Sequence, residues 1–258
     1  MDDLLAKLNP QQRKAVTTID GPLLIIAGAG SGKTRVITVR IAFMLDQGIE
    51  PKSILALTFT NKAANEMKHR VRELAGPAAK ELTVSTFHAF GLTVLRRYFR
   101  AVGLRDNFTI YDTADQIALL KETAREEGIP PDELNLSELL SLFSKIKTGR
   151  TPTSVLSQQY QHFYRSYQSH LRLYNAVDFD DLIVEPARLL EENEKAKEHY
   201  QDRFSHVMVD EFQDTSLNQY SFLNSLTKQN RNVCVVGDDD QSIYSWRGAN
   251  YTNLVNFE

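Results

Sequence analysis

A single cysteine, Cys234, is present in the 258-residue chain, so no disulfide can close within it. That thiol sits in the apolar run "NVCVVGD" (232–238), which reads as a buried free cysteine in a reducing compartment, and the cytoplasm is the expected location. Apolar runs of about twenty residues are lacking, which argues against a membrane-spanning helix. The opening "MDDLLAKLNP" is acidic and polar where a secretory signal would be basic and then apolar. Charge of one sign is lacking as well. The net charge is −3, so bulk electrostatics does not mark the chain as a nucleic-acid binder. The basic stretches Lys62, Lys68, Arg70, Arg72 and Arg96, Arg97, Arg100 read, on charge alone, as solvated helix faces. Internal repeats and low-complexity tracts are absent from the sequence, which excludes solenoids and disordered arrays.

What is present is an ordinary globular composition, 42% hydrophobic and 24% charged, in a chain long enough for one large domain or two modest ones. Short apolar runs that end in turn or polar signals recur: "LLIIAG" (23–28), "ILALTFT" (54–60), "LTVSTF" (82–87), "HVMVDE" (206–211) and "NVCVVGD" (232–238). Separated by helical patterns, they predict buried parallel strands of an α/β sheet. "NKAANEMKHRVREL" (61–74) predicts a helix, with Thr60 or Asn61 available as its N-cap. Between about 108 and 200 no convincing buried strand appears. There Leu136, Leu139, Leu140, Phe143 and Ile146 follow helical spacing, and "EENEKAKEHYQDRF" reads as a charged, exposed helix. The expected organisation is a first α/β part (1–107), an all-helical insertion (108–199) and a second α/β part (200–258).

The first run leads into "AGAGSGKTRVI" (27–37), a glycine-rich loop between a strand and a helix. Gly28, Gly30 and Gly32 let the backbone curl so that its N–H groups face phosphate oxygens, and the following helix offers its positive end to the same anion. Lys33 can reach the outer phosphates of a nucleoside triphosphate, and the Thr34 hydroxyl can ligate Mg²⁺. The loop departs from the usual G-x-x-x-x-G-K-[ST] pattern at one place, Ala27 standing for the first glycine. The acid such a site needs at a strand end is supplied by "HVMVDEFQDTS": Asp210 would hold Mg²⁺, and Glu211 can take a proton from the attacking water. Either acid alone could instead cap a following helix.

Many P-loop proteins share those two motifs. Seven segments in order are more specific: "LNPQQ", "AGAGSGKT", "TFTNKAA", "TFHAFG", "DFDDL", "VDEFQDT" and "VVGDDDQSIYSWRGA". With them the chain resembles superfamily 1 DNA helicases of the UvrD/Rep/PcrA type over nearly its whole length, and Ala27 fits that family. The resemblance implies a RecA-like P-loop NTPase domain with a parallel sheet, interrupted by a helical insertion (domains 1A and 1B), and implies ATP and Mg²⁺ as ligands.

It also implies roles for single residues. Gln12 would contact the adenine, although Asn9, Pro10 and Gln12 equally spell a capping box at a helix start. Ala27, Ala29 and Ser31 complete the phosphate loop, and Arg35 would lie beside the nucleotide. Phe59, Thr60, Asn61, Phe87 and His88 would line a DNA surface where strands end, the aromatics against bases and the polar groups on phosphate or sugar. Taken singly, each of these aromatics reads as core and His88 as a structural histidine. Phe179 would meet a base, while Asp178, Asp180 and Asp181 start a helix and orient basic neighbours. In the last segment Gln241 would sense the γ-phosphate or the water, Tyr244 and Trp246 would stack on bases, and Arg247 would bond DNA phosphate or a neighbouring acid.

In that family ATP is closed between two RecA-like domains, the second of which supplies arginine fingers. The sequence ends at Glu258 soon after the last motif, so the expectation is the N-terminal portion of a longer helicase, nearly inactive without domains 2A and 2B. The implied partners are single-stranded or 3′-tailed duplex DNA, with repair or replication proteins and no membrane. Three other readings stay open: a small-molecule kinase, a non-catalytic nucleotide- or DNA-binding module, and a RecB/AddA-type helicase–nuclease subunit.

Overall fold

The structure, a computed structural model, describes residues 1–28, 30–238 and 257. The chain forms two compact units. One comprises Met1–Phe90 with Leu190–Glu258 and the other Gly91–Leu189.

Among the described residues the strands are, in chain order, β1 (Leu23–Ile26), β2 (Ile54–Thr58), β3 (Thr83–Thr86), β4 (Thr109–Ile110), β5 (Ala176–Val177), β6 (His206–Val209) and β7 (Val233–Gly237). Five of them build the sheet of the first unit in the order β1-β7-β6-β2-β3. Every pairing in it is parallel, as Leu23 opposite Cys234, Val207 opposite Val233, Ile54 opposite His206 and Leu55 opposite Thr83 show. The apolar runs explain this directly: β2, β6 and β7 are buried at every position, as strands covered on both faces must be. β1 lies at an edge and is only half-buried, with Ile26 exposed. The core of this unit joins Ile37, Ile41 and Met44 to Ala56, Met67, Val71, Met208 and Val236. Cys234 belongs to that core, and its burial pushes the thiol up to about 11, so it rests as an unreactive thiol.

Two local devices hold helices of the first unit. Helix Asn61–Ala75 starts on Thr60, whose Oγ1 accepts the Ala63 N–H at 3.1 Å. Arg40, on helix Lys33–Asp46, is buried and donates to the carbonyls of Ala15 (2.7 Å), Thr18 and Ile19 (3.0 Å). Those carbonyls end helix Pro10–Thr17, where the helix dipole favours a cation. Burial lowers the guanidinium pKa, and the three carbonyls offset its lost hydration.

The second unit packs helices Thr113–Glu126, Leu136–Lys147 and Gln158–Leu173 around Leu120, Phe143, Phe163 and Tyr167. Its only strands among the described residues are β4 and β5, two residues each and paired in parallel. The insertion is therefore helical apart from one short ladder, too brief to leave an apolar run in the sequence. Gly91 marks a close crossing of helices Phe87–Tyr98 and Asp181–Glu192, because a Cβ there would lie 1.8 Å from the Leu182 carbonyl oxygen.

The compact units part at 90/91 and 189/190, where the sequence suggests 107/108 and 199/200. The second difference has a clear cause. The segment 191–204 is not simply an exposed helix: Asn193 caps a new helix, Glu194–Arg203, and Tyr200 is buried. Tyr200 and Phe204 each meet the Phe90 ring at 5.7 Å, and Phe222 stacks on Phe90 at 5.6 Å. This aromatic cluster assigns the segment to the first unit. No helix among the described residues is long and apolar enough to cross a membrane.

Candidate active site

A parallel sheet delivers the ends of all its strands to one edge, where α/β folds place their ligands. The loop after β1, the acids after β6, Phe59 and Thr60 after β2, and Asp238 after β7 all emerge there.

The loop's backbone conformation needs glycine at two places. Gly30 and Gly32 have φ of +73° and +83°, in the left-handed region that L side chains rarely adopt. Gly32 is the N-cap of helix Lys33–Asp46 and offers no side-chain cap, so the first-turn N–H groups are left for an anion. At the other end of the loop, the Ala27 N–H donates to the Gly237 carbonyl at 3.0 Å and extends the β1–β7 ladder.

Lys33 is anchored by three oxygens. Its Nζ donates to the carbonyls of Ala27 (3.0 Å) and Gly28 (3.3 Å) and pairs with Asp238 Oδ2 at 2.8 Å. The Asp238 side chain is fully buried, so this ion pair is desolvated. Asp238 thus occupies the lysine that a phosphate would use. The sequence places Asp238 at the end of β7 without giving it a role.

Asp210 and Glu211 follow β6 and face different ways for a backbone reason. The Asp210 N–H still pairs with the Leu57 carbonyl at 3.0 Å, and then Glu211 turns into the left-handed region at φ +54°. The Glu211 N–H closes onto Asp210 Oδ1 at 3.1 Å. Asp210 is buried and bonded to the Thr34 hydroxyl. Burial first, and the Glu211 charge second, push its carboxyl up to about 6; Lys33 and Thr34 act in the opposite direction. A hydroxyl and a carboxylate side by side are oxygen donors suited to Mg²⁺, which takes one or two protein oxygens and completes its shell with phosphate and water. Thr34 and Asp210 therefore fit that ion. No cluster of three or more His, Cys, Asp or Glu suited to a metal exists among the described residues.

A pH dependence follows with a definite sign. A ligating carboxyl must lose its proton, so Mg²⁺ uptake is favoured above about pH 6 and opposed below it. Mg²⁺-dependent nucleotide affinity is expected to level off above that point and to fall by up to about tenfold per pH unit below it. Titration with a fluorescent ADP across the range, with and without Mg²⁺, measures this; parallel curves would remove Asp210 from the metal site.

The remaining expected residues divide. Gln12 realises the full capping box with Asn9, and its Nε2 also donates to the Ser31 carbonyl at 3.0 Å. One amide hydrogen and one lone pair remain for a base edge. Arg35 and Ser31 are exposed beside the loop, and Ala29 lies outside the described residues. Phe59 is half-buried, and Thr60 and Asn61 are exposed. A cavity of about 420 Å³ joins Thr34, Asp210 and Glu211 to Phe59 and Thr60, and Gln213 lines it as well. Phe87 departs from its expected place: it is 2% exposed, a core ring closing the end of β3, and no base can stack on it here. His88 is half-buried, while Phe179, in the second unit, is 59% exposed. Asp178 and Asp181 cap their helix reciprocally and grip a buried lysine, Lys147, that the sequence does not single out. Gln241, Tyr244, Trp246 and Arg247 lie outside the described residues.

Residues 8–258 match the family model of the UvrD/REP helicase N-terminal domain. The chain belongs to that family. Among curated relatives it is 43% identical over 266 residues to the ATP-dependent DNA helicase PcrA of Bacillus subtilis, covering all of this chain and 36% of that protein. It is also 43% identical over 267 residues to the PcrA helicases of Staphylococcus aureus and Staphylococcus epidermidis, covering 37% of each. A UvrD/REP helicase N-terminal domain accounts for the α/β fold and parallel sheet described above. The chain spans just over a third of the length of these relatives.

Proposed function

We propose that the chain is the ATP-binding portion of an ATP-dependent DNA helicase or translocase that moves 3′ to 5′ on single-stranded DNA in repair or replication. The observation that carries this reading is the shared cavity: the metal-side residues Thr34 and Asp210 and the acid Glu211 line one space with Phe59 and Thr60. Nucleotide chemistry and a candidate strand contact thus meet on adjacent strands, which a motor that couples the two requires.

In this mechanism the loop N–H groups and Lys33 hold the β- and γ-phosphates, Lys33 giving up Asp238 to do so. Thr34 and Asp210 would hold Mg²⁺, which when bound would supply neutralisation of phosphate charge for transfer to water. Glu211 accepts a proton from the attacking water. Gln12 meets the adenine with the donor and acceptor left over from the capping box, and Arg35 flanks the nucleotide. Thr60, Asn61 and His88 bond the DNA backbone, while Phe59 and Phe179 meet bases. Gln241 reads the γ-phosphate, Tyr244 and Trp246 stack on bases, and Arg247 bonds phosphate. Domains 1A, 1B and 1A are proposed as 1–107, 108–199 and 200–258, whereas the compact units part at 90/91 and 189/190.

The longer relatives leave room for a second RecA-like domain with arginine fingers. Residues 1–258 alone are expected to bind ADP yet hydrolyse ATP about 10³–10⁵-fold more slowly than a protein carrying those groups. The test compares ATP hydrolysis by this chain and by the longer protein, with and without single-stranded DNA, and scores unwinding of 3′-tailed against 5′-tailed duplex. Strong DNA-stimulated hydrolysis by residues 1–258, or phosphate transfer to a small acceptor without any response to DNA, would defeat the proposal.

A further inference from the structure

Gln213 makes a set of contacts that the roles above leave unused. Its side chain is 1% exposed, a fully desolvated amide two residues beyond Glu211. Nε2 donates to Glu211 Oε2 at 2.8 Å and reaches Asp214 Oδ2 at 3.5 Å. Oε1 accepts the backbone N–H of Asp238 at 3.1 Å. The orientation of the amide is forced: the Asp238 N–H can only donate and the carboxylates accept, so oxygen faces β7 and nitrogen faces the acids. Beyond Asp238 lies Lys33, paired with its carboxylate at 2.8 Å. A continuous path therefore runs from Lys33 through Asp238 and Gln213 to Glu211, across the neighbouring ends of β7 and β6.

We propose that Gln213 is a positioning residue for hydrolysis: it fixes the Glu211 carboxylate relative to the end of β7 and carries to it the release of Lys33 from Asp238. Three observations support this. Glu211 sits in a left-handed conformation outside any regular ladder, so its backbone alone does not aim the carboxylate. The bond from Gln213 is the hydrogen bond that holds that carboxylate among the described residues. The site also demands both halves of an amide at this length. Methionine fills the space with neither bond, glutamate keeps the acceptor but sets a third carboxylate against two others, and asparagine is a methylene short. A residue needed only to fill the core would not have these requirements.

The inference rests on Glu211 as the acceptor of the water's proton, and the experiment separates the two. Gln213→Met and Gln213→Glu are made in the full-length protein, and ATP hydrolysis is measured at saturating single-stranded DNA alongside fluorescent-ADP binding. The expected result is a fall in kcat on the order of 10²-fold, since a displaced catalytic group costs about that much, with ADP affinity kept. Gln213→Glu is the same length and keeps the Asp238 bond, so it decides the matter should Gln213→Met unfold. Unchanged kcat in Gln213→Glu, or ADP binding lost in step with kcat, overturns the proposal. Glu211→Gln serves as the reference: if that variant keeps full activity the reading of Glu211 fails, and if only it is inactive the positioning role alone fails.

Discussion

Glu211→Gln is expected to lower kcat for ATP hydrolysis by about 10²–10⁴-fold, the usual worth of a positioned general base, while leaving ADP affinity nearly unchanged. The substitution is close to isosteric, and its carbonyl can still accept the bond from Gln213 Nε2. What disappears is the basic lone pair and one negative charge. In the proposed mechanism phosphate is held by Lys33 and the loop, which the variant does not touch. The lost charge has a second, opposite consequence. Glu211 is one of the two causes that push Asp210 up to about 6, so its removal brings Asp210 down. The acid limb of Mg²⁺-dependent nucleotide binding should then move to lower pH in Glu211→Gln. A variant with less turnover and a metal site that survives further into acid would separate the proton acceptor from the metal ligand. Steady-state hydrolysis at saturating DNA and ADP titrations over pH measure both. Undiminished turnover would favour a module that binds nucleotide without using it.

The sheet was legible because burial on both faces writes itself as apolar runs: Ile54–Thr58, His206–Val209 and Val233–Gly237 all lie inside the segments their composition marks. The glycine-rich loop was legible for a backbone reason, Gly30 and Gly32 standing where φ is positive. The misjudged places depend on tertiary contact. Tyr200 and Phe204 sit in a segment whose charge suggests a solvated helix, and only the approach of Phe90 and Phe222 buries them. Phe87 follows a strand end like Phe59 yet turns inward, a choice that strand position alone does not determine. Gln12 kept two readings open in the sequence, and the structure satisfies the capping one while leaving part of the amide free. Gln213 and Lys147 left no signal, because a lone amide or lysine acquires meaning only from partners as distant in sequence as Asp238 and Asp178. A polar residue wedged between acids, as in "DEFQDT", is the nearest thing to a warning.

Lys147 carries the largest stability effect expected in the second unit. Its Nζ lies 2.6 Å from Asp178 Oδ2 and 3.0 Å from Asp181 Oδ1, and all three side chains are nearly excluded from water. One cation thus serves two buried carboxylates that also cap helix Asp181–Glu192. Burial alone would lower the Lys147 pKa, but the two aspartates outweigh it and raise it. Asp181 is pushed up to about 7 by burial and by Asp178, even with Lys147 beside it. Lys147→Met leaves both carboxylates without a counter-charge, and breaking a buried pair in this way costs about 3–5 kcal/mol. The sign of its pH dependence follows from the carboxyl. Asp181 has a folded pKa above its unfolded value, so the folded state binds the proton more tightly and loses stability as pH rises towards 7. Without Lys147 that loss is larger, so the deficit against the natural protein should widen through neutral pH and narrow in acid, where the Asp181 carboxyl takes up its proton. Lys145→Met removes the same charge from an exposed position and should cost at most about 0.5 kcal/mol. Hydrogen exchange in helices Leu136–Lys147 and Asp181–Glu192, with helix Lys33–Asp46 as reference, reads the difference within the unit concerned. If Lys147→Met exchanged no faster than Lys145→Met at neutral pH, the contacts of the two aspartates with Lys147 would add nothing to stability.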